Sequence, residues 1–296
     1  MASPTARAAP ARSASPPDPP RGVTAGAAPL EARRDGVLLA GEASPGHREP
    51  IQLLHGLTAT RRYVVHGSRV LERAGHPVVA FDARGHGASS PAGGPEAYAY
   101  GELVDDAAAV LDAAGVARAV VAGQSMGAAT AVALALAAPE RVSALALVTP
   151  AHLGRPSAGL DRWDRLADGL ERGGPEGFLA ALEPLTVAER WREAVRTVIL
   201  QRMARHEHPE AVAAALRGVP RSAAFDGLDA LAALSVPTLV VGSREDADPD
   251  HPLAVAEEYA RRIPGARLLV EEEGESPLAW RGGALSKAIL EFVATA

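Results

Sequence analysis

From Leu30 onward the chain alternates two hydrophobic rhythms. Short runs are apolar at nearly every position, and longer segments return an apolar residue every three or four places. The short runs predict strands at 36–40, 50–54, 77–81, 119–122, 144–148, 237–241 and 267–271. A run that is apolar at successive positions suits a strand buried on both faces, as in a parallel sheet covered by helices. The longer segments predict helices at 60–74, 97–114, 126–138, 252–262 and 278–294. Strand and helix in turn define the α/β class.

The alternation stops between Val148 and Val236. That stretch reads as helices at 160–172, 177–182, 188–205 and 208–217, with no strand. It predicts a helical insertion, 151–232, in a core made of 29–150 and 233–296. In the insertion Trp163, Phe178, Leu182, Trp191, Val195 and Ile199 recur at helical spacing and are expected to form its own core, some of them lining a pocket. Residues 1–28 are rich in Pro, Ala, Arg and Ser and poor in large apolar side chains, so they are expected to form a disordered extension. Their prolines interrupt any apolar leader, and no run approaches the roughly 18 residues of a membrane span. A cytoplasmic protein with no membrane association is the expectation.

Composition narrows the partners. A formal charge of −6 argues against a nucleic-acid binder, which would carry a basic stripe. With no cysteine there are no disulfides, thiol nucleophiles or cysteine metal sites. Histidines do not repeat at metal-ligand spacing with a third ligand, so no metal and no cofactor are expected. A small-molecule substrate is the expected partner, and the sequence leaves the oligomeric state open.

The chemistry begins at Gly123-Gln124-Ser125-Met126-Gly127, directly after the strand 119–122 and at the start of the helix 126–138. A serine at a tight strand-to-helix turn has its Oγ lifted clear of the sheet, and side chains at 123 and 127 would clash with neighbouring backbone. A second segment, Leu53-Leu54-His55-Gly56-Leu57-Thr58, ends a buried strand. Acyl transfer needs two preorganised donors for the oxyanion, and the N–H groups of Leu57 and Met126 are the candidates. A third, Phe81-Asp82-Ala83-Arg84-Gly85-His86-Gly87-Ala88-Ser89, follows the next strand, and its Asp82, Arg84 and His86 read as structural, as does His55.

Strand-His-Gly, then D-x-R-G-H-G-x-S, then G-x-S-x-G, in this order and spacing, resembles the α/β-hydrolase superfamily from about residue 36 to the end. The resemblance implies a mostly parallel, doubly wound sheet of roughly eight strands, with 151–232 in the place of that family's cap. It also implies an acid after the strand that follows the cap. Asp246 stands at the more usual distance from that strand, and Asp248 fits the spacing back from Pro252. The family's base is a histidine in the loop after the last strand, but here Glu275 occupies that place, in Glu271-Glu272-Glu273-Gly274-Glu275-Ser276-Pro277. A carboxylate is about two pKa units less basic than imidazole. His251, His152, His206 and His208 are the histidines that could substitute from elsewhere.

Two functions are therefore expected. One is esterase-like hydrolysis of a small acyl substrate through Ser125, with base function from Glu275 or a relocated histidine. The alternative is a non-hydrolytic or catalytically silent homologue, ligand-binding or lyase-type, because of Glu275.

Overall fold

The computed structural model describes residues 26–244 and 250–296. The strands are β1 (Ala28–Arg34), β2 (Val37–Ala43), β3 (Ile51–Leu54), β4 (Val78–Phe81), β5 (Ala119–Gln124), β6 (Val142–Val148), β7 (Thr238–Val241) and β8 (Arg267–Leu269). They form one sheet in the order β1-β2-β4-β3-β5-β6-β7-β8. β3 to β8 run parallel, and β2 is antiparallel to both β1 and β4. The fold is thus the expected α/β-hydrolase fold, with β5, the strand that carries the elbow, in the interior of the sheet.

All seven strands legible in the apolar pattern are present, and β1 adds an eighth. It starts at Ala28, the last residue of the segment expected as an extension, and residues 1–25 of that segment lie outside the described residues. β1 is an edge strand with only Ala32 buried, and therefore lacks the continuous apolar run that marks the inner strands. At the opposite edge β8 is exposed along its length and shorter than expected.

Side chains of the inner strands alternate between two cores. Leu54, Val79, Phe81, Val121, Leu145, Leu147 and Val240 pack on one face with α2 (Tyr100–Ala113), α3 (Met126–Ala137) and α7 (Leu253–Arg262). Ile51, Leu53, Val78, Ala80, Val120, Ala122 and Ala146 pack on the other with α8 (Gly282–Val293). The helix expected over 60–74 is a correction. Only α1 (Val70–Arg73) and a 3-10 turn at Tyr63–Val65 form there, because Arg62 and His66 take left-handed backbone conformations at φ 65° and 45°.

Between β6 and β7 stand α4 (Leu160–Leu182), α5 (Glu189–Met203) and α6 (Pro209–Gly218), with no strand among the described residues. α4 unites the two helices expected at 160–172 and 177–182, bending at Gly174, whose φ of 58° breaks the helical path just before Pro175. Leu166, Leu170, Phe178, Ile199, Met203 and Val212 join Leu57, Tyr100, Leu103 and Met126 in a third buried cluster. The insertion is seated directly on the residues flanking the serine.

Candidate active site

Ser125 has φ 52° and ψ −112°, a conformation that L residues rarely hold and that typically costs about 1–3 kcal/mol. Its surroundings enforce it. The Ser125 N–H donates to the Val148 carbonyl at 3.0 Å, and the Ser125 carbonyl accepts from Ala128 and Ala129 at 3.0 and 3.1 Å. A Cβ at Gly127 would overlap the Leu54 carbonyl, and one at Gly123 would overlap the Gly127 carbonyl. Without side chains at these two positions, α3 can start against the end of β3. Gly56 is less confined: a Cβ there would make ordinary contact with Ser125 Cβ at 3.4 Å.

Ser125 lies in the wall of a cavity of about 350 Å³. The sheet side supplies Gly56, Leu57, Gln124 and Met126, and the insertion supplies Trp163, Leu166, Phe178 and Leu182. Of the insertion's other aromatic and aliphatic residues, Ile199 and Val195 pack within its core, and Trp191 meets Trp280 edge-on at 5.8 Å. The backbone N–H groups of Leu57 and Met126 donate no hydrogen bond among the described residues, so both are available to an oxyanion. The Oε1 of Gln124 is buried and also unpaired.

The loop holding Leu57 is clamped by histidines. His55 donates from Nδ1 to the Gly56 carbonyl at 2.8 Å and accepts at Nε2 from the Ala83 N–H at 2.9 Å. The ring nitrogens of His86 meet the carbonyls of Arg84 and Leu57 at 2.9 and 2.5 Å. His206, reaching down from the insertion, accepts at Nδ1 from the Gly87 N–H and donates from Nε2 to the Thr58 carbonyl. Asp82 accepts from the backbone N–H groups of Arg61 and Ala88 at 2.6 and 3.1 Å, and Arg84 is bound to Asp106. The D-x-R-G-H-G-x-S segment is thus the scaffold of the candidate oxyanion loop.

Burial holds His55, His206 and His152 neutral, with His206 lowered to about 3 and His152 to about 4. The unfolded chain takes up these protons near pH 6.5, whereas the folded chain does so only at much lower pH. Between those values the unfolded state binds more protons, so stability falls as the medium is acidified. The melting temperature is expected to be clearly lower at pH 5 than at pH 7, with a smaller difference in His206→Gln. An equal melting temperature at both pH values, or an unchanged slope in the variant, would contradict this account.

The remaining candidates divide. His251 lines the cavity that contains Ser125. His152 lines it as well, but its Nε2 already accepts from the Ala224 N–H at 3.0 Å, and its ring is depressed far below the range of a useful base. His208 is placed beside Glu210, outside the cavity wall. Glu275 is exposed, 3.4 Å from Arg281, and does not line the cavity. This placement does not bring it to Ser125. Asp246 and Asp248 lie outside the described residues. Sequence reasoning missed Glu271, the buried member of the acidic run. Its Oε1 accepts from the Arg244 N–H at 2.7 Å, tying the segment after β7 to the segment after β8. Among the described residues no three acidic or histidine side chains group as metal ligands.

Comparison with known proteins places this geometry. The sequence profile of the alpha/beta hydrolase fold matches residues 49–280. The protein named "Putative carbamate hydrolase RutD" of Azorhizobium caulinodans is 33% identical over 208 residues, 66% of this chain and 72% of that one. Epoxide hydrolase B of Mycobacterium tuberculosis is 33% identical over 132 residues, 44% of this chain and 37% of its own. The structure of a thermophilic esterase from Thermogutta terrifontis superposes with a TM-score of 0.73 at 27% identity, covering 91% of this chain and 98% of its own. With the profile spanning strand, elbow and insertion alike, the chain belongs to the alpha/beta hydrolase fold family.

Proposed function

We propose that this protein is a cofactor-independent serine hydrolase that cleaves an ester-type bond of a small acyl substrate. The observation that carries the reading is the left-handed Ser125 in the wall of a cavity where two unpaired backbone donors, at Leu57 and Met126, also lie. Ser125 Oγ attacks the acyl carbon, and the N–H groups of Leu57 and Met126 receive the oxyanion. A base takes the hydroxyl proton and returns it to the leaving alcohol, and water then repeats the cycle on the acyl-enzyme. His251 fills the role of base, because it shares the cavity with Ser125 whereas Glu275 is turned toward Arg281. Asp246 or Asp248, a few residues before His251 in the sequence, is the candidate to orient it. Relatives named as carbamate hydrolase, epoxide hydrolase and esterase support hydrolysis in general.

A fluorophosphonate probe tests the reading. The adduct is expected on the peptide containing Ser125, with labelling slowed on the order of 10²-fold or more by His251→Ala and not by Glu275→Gln. The exposed Glu275 favours a second reading, a non-hydrolytic or lyase-type homologue. A wild type refractory to the probe under conditions that label ordinary serine hydrolases would decide for it.

A further inference from the structure

The chain carries a net charge of −6, yet its cavity wall is cationic: Arg155, Arg162 and Arg202 stand there with Asp250 as the acidic residue among the described ones. Arg162 donates to Asp250 at 2.8 Å, so these two charges answer each other. Arg202, at the end of α5, is different. Its guanidinium lies 5.6 Å from the centre of the Tyr63 ring, and Tyr63 also lines the cavity. The contact is of the cation–π kind and takes up none of the guanidinium N–H edge. That edge has no hydrogen-bond acceptor and no carboxylate among the described residues, and its Nε is buried without a partner. A half-buried, always-charged group with no counter-ion among the described residues is costly, and a ligand anion would offset that cost.

We propose that Arg202 is the anion-recognition residue of this site, and that the substrate is an ester bearing a carboxylate held by Arg202 while its acyl carbon lies at Ser125. The inference rests on the hydrolase reading above and names its substrate class. Guanidinium and carboxylate match as a two-point donor–acceptor pair, which fixes orientation as well as affinity. Trp163, Leu166, Phe178 and Leu182 provide the apolar wall for the segment between the two ends, in a cavity whose volume of about 350 Å³ suits a small molecule. The carboxylate can belong to the acyl part or to the leaving alcohol, and the site chemistry is the same for both.

The test compares matched esters. 4-Nitrophenyl hemisuccinate against 4-nitrophenyl butyrate places the charge on the acyl side, and 4-acetoxybenzoate against phenyl acetate places it on the leaving side. In at least one pair the wild type is expected to favour the charged ester at least tenfold in kcat/KM, mainly through KM. Arg202→Gln is expected to collapse that ratio at least tenfold, and Arg202→Lys to retain part of it. A wild type with no preference in either pair, or an Arg202→Gln protein with the wild-type ratio, overturns the inference. Should no ester be turned over, the hydrolase reading fails on its own, and calorimetric titration with monomethyl succinate decides the recognition question. Binding to wild type that weakens at least tenfold in Arg202→Gln supports the role, and absence of binding to wild type overturns it. Circular dichroism and melting of both variants exclude misfolding as the cause.

Discussion

Ser125→Ala is expected to lower kcat toward 4-nitrophenyl esters by at least about 10⁴-fold, the scale on which loss of a nucleophile acts when the rest of a catalytic unit is intact. The substitution removes one oxygen from a position whose backbone is set by its neighbours. The Val148 carbonyl, the first turn of α3 and the close approach of Gly123 and Gly127 all persist in the variant. Alanine at φ 52° bears strain similar to that of serine, so folding should be nearly unaffected and the melting temperature should move by only about 2 °C. Activity and stability are thereby separated. A variant that keeps more than a small fraction of wild-type turnover would remove Ser125 from the reaction. An inactive variant that also melts early would show that the loss came from the scaffold.

The largest stability effect is expected at Asp106, far from any substrate contact. Asp106 is fully buried on α2, and Arg84 binds it with Nε to Oδ2 and Nη2 to Oδ1, both at 2.7 Å. Arg34 adds a third bond at 3.2 Å, while Arg84 also donates to the Ala97 carbonyl. Asp106→Ala leaves a buried guanidinium with the half-exposed Glu102 as the one carboxylate opposite it among the described residues. Removing one member of a buried pair typically costs about 3–5 kcal/mol. For a chain of this size that corresponds to a fall in melting temperature on the order of 10 °C, readable by scanning calorimetry. Glu102→Gln serves as the contrast, since a partly solvated partner is worth only about 1 kcal/mol or less. Equal losses in the two variants would show that the pair is not the source of the effect. Arg84 sits two residues from His86, which meets the Leu57 carbonyl, so Asp106→Ala should loosen the oxyanion loop as well.

What the sequence reveals here follows from how local each determinant is. Ile51–Leu54 and Val78–Phe81 are buried at every position, and uninterrupted apolarity is visible without any knowledge of the partners. β1 is invisible by the same rule, because an edge strand meets the core at one residue. Val64, Val65 and Leu71 are spaced as a helix would space them. The segment turns instead around Arg62, whose guanidinium is paired with Glu42 and Glu72, contacts that no periodicity encodes. The elbow was legible because glycines at 123 and 127 answer a backbone demand within five residues. Arg202 was not, since its place above Tyr63 depends on how α5 lies across the core. Glu275 shows the converse: motif position put it at the base's place, and the fold turns it toward Arg281.

The bend in α4 has a consequence for how the cavity can be altered. Past Gly174 the helix doubles back, and Gly169 and Gly177 meet backbone to backbone, so closely that a Cβ on Gly177 would overlap the Gly169 carbonyl. Trp163 and Leu166 hang from one limb, Phe178 and Leu182 from the other. A seam without side chains makes the limbs a single hinge-free bracket. Exchanging any of the four apolar residues changes the volume offered to a substrate and leaves their spacing alone. A methyl group at the seam would spread all four at once, reshaping the chamber from a place that no substrate touches.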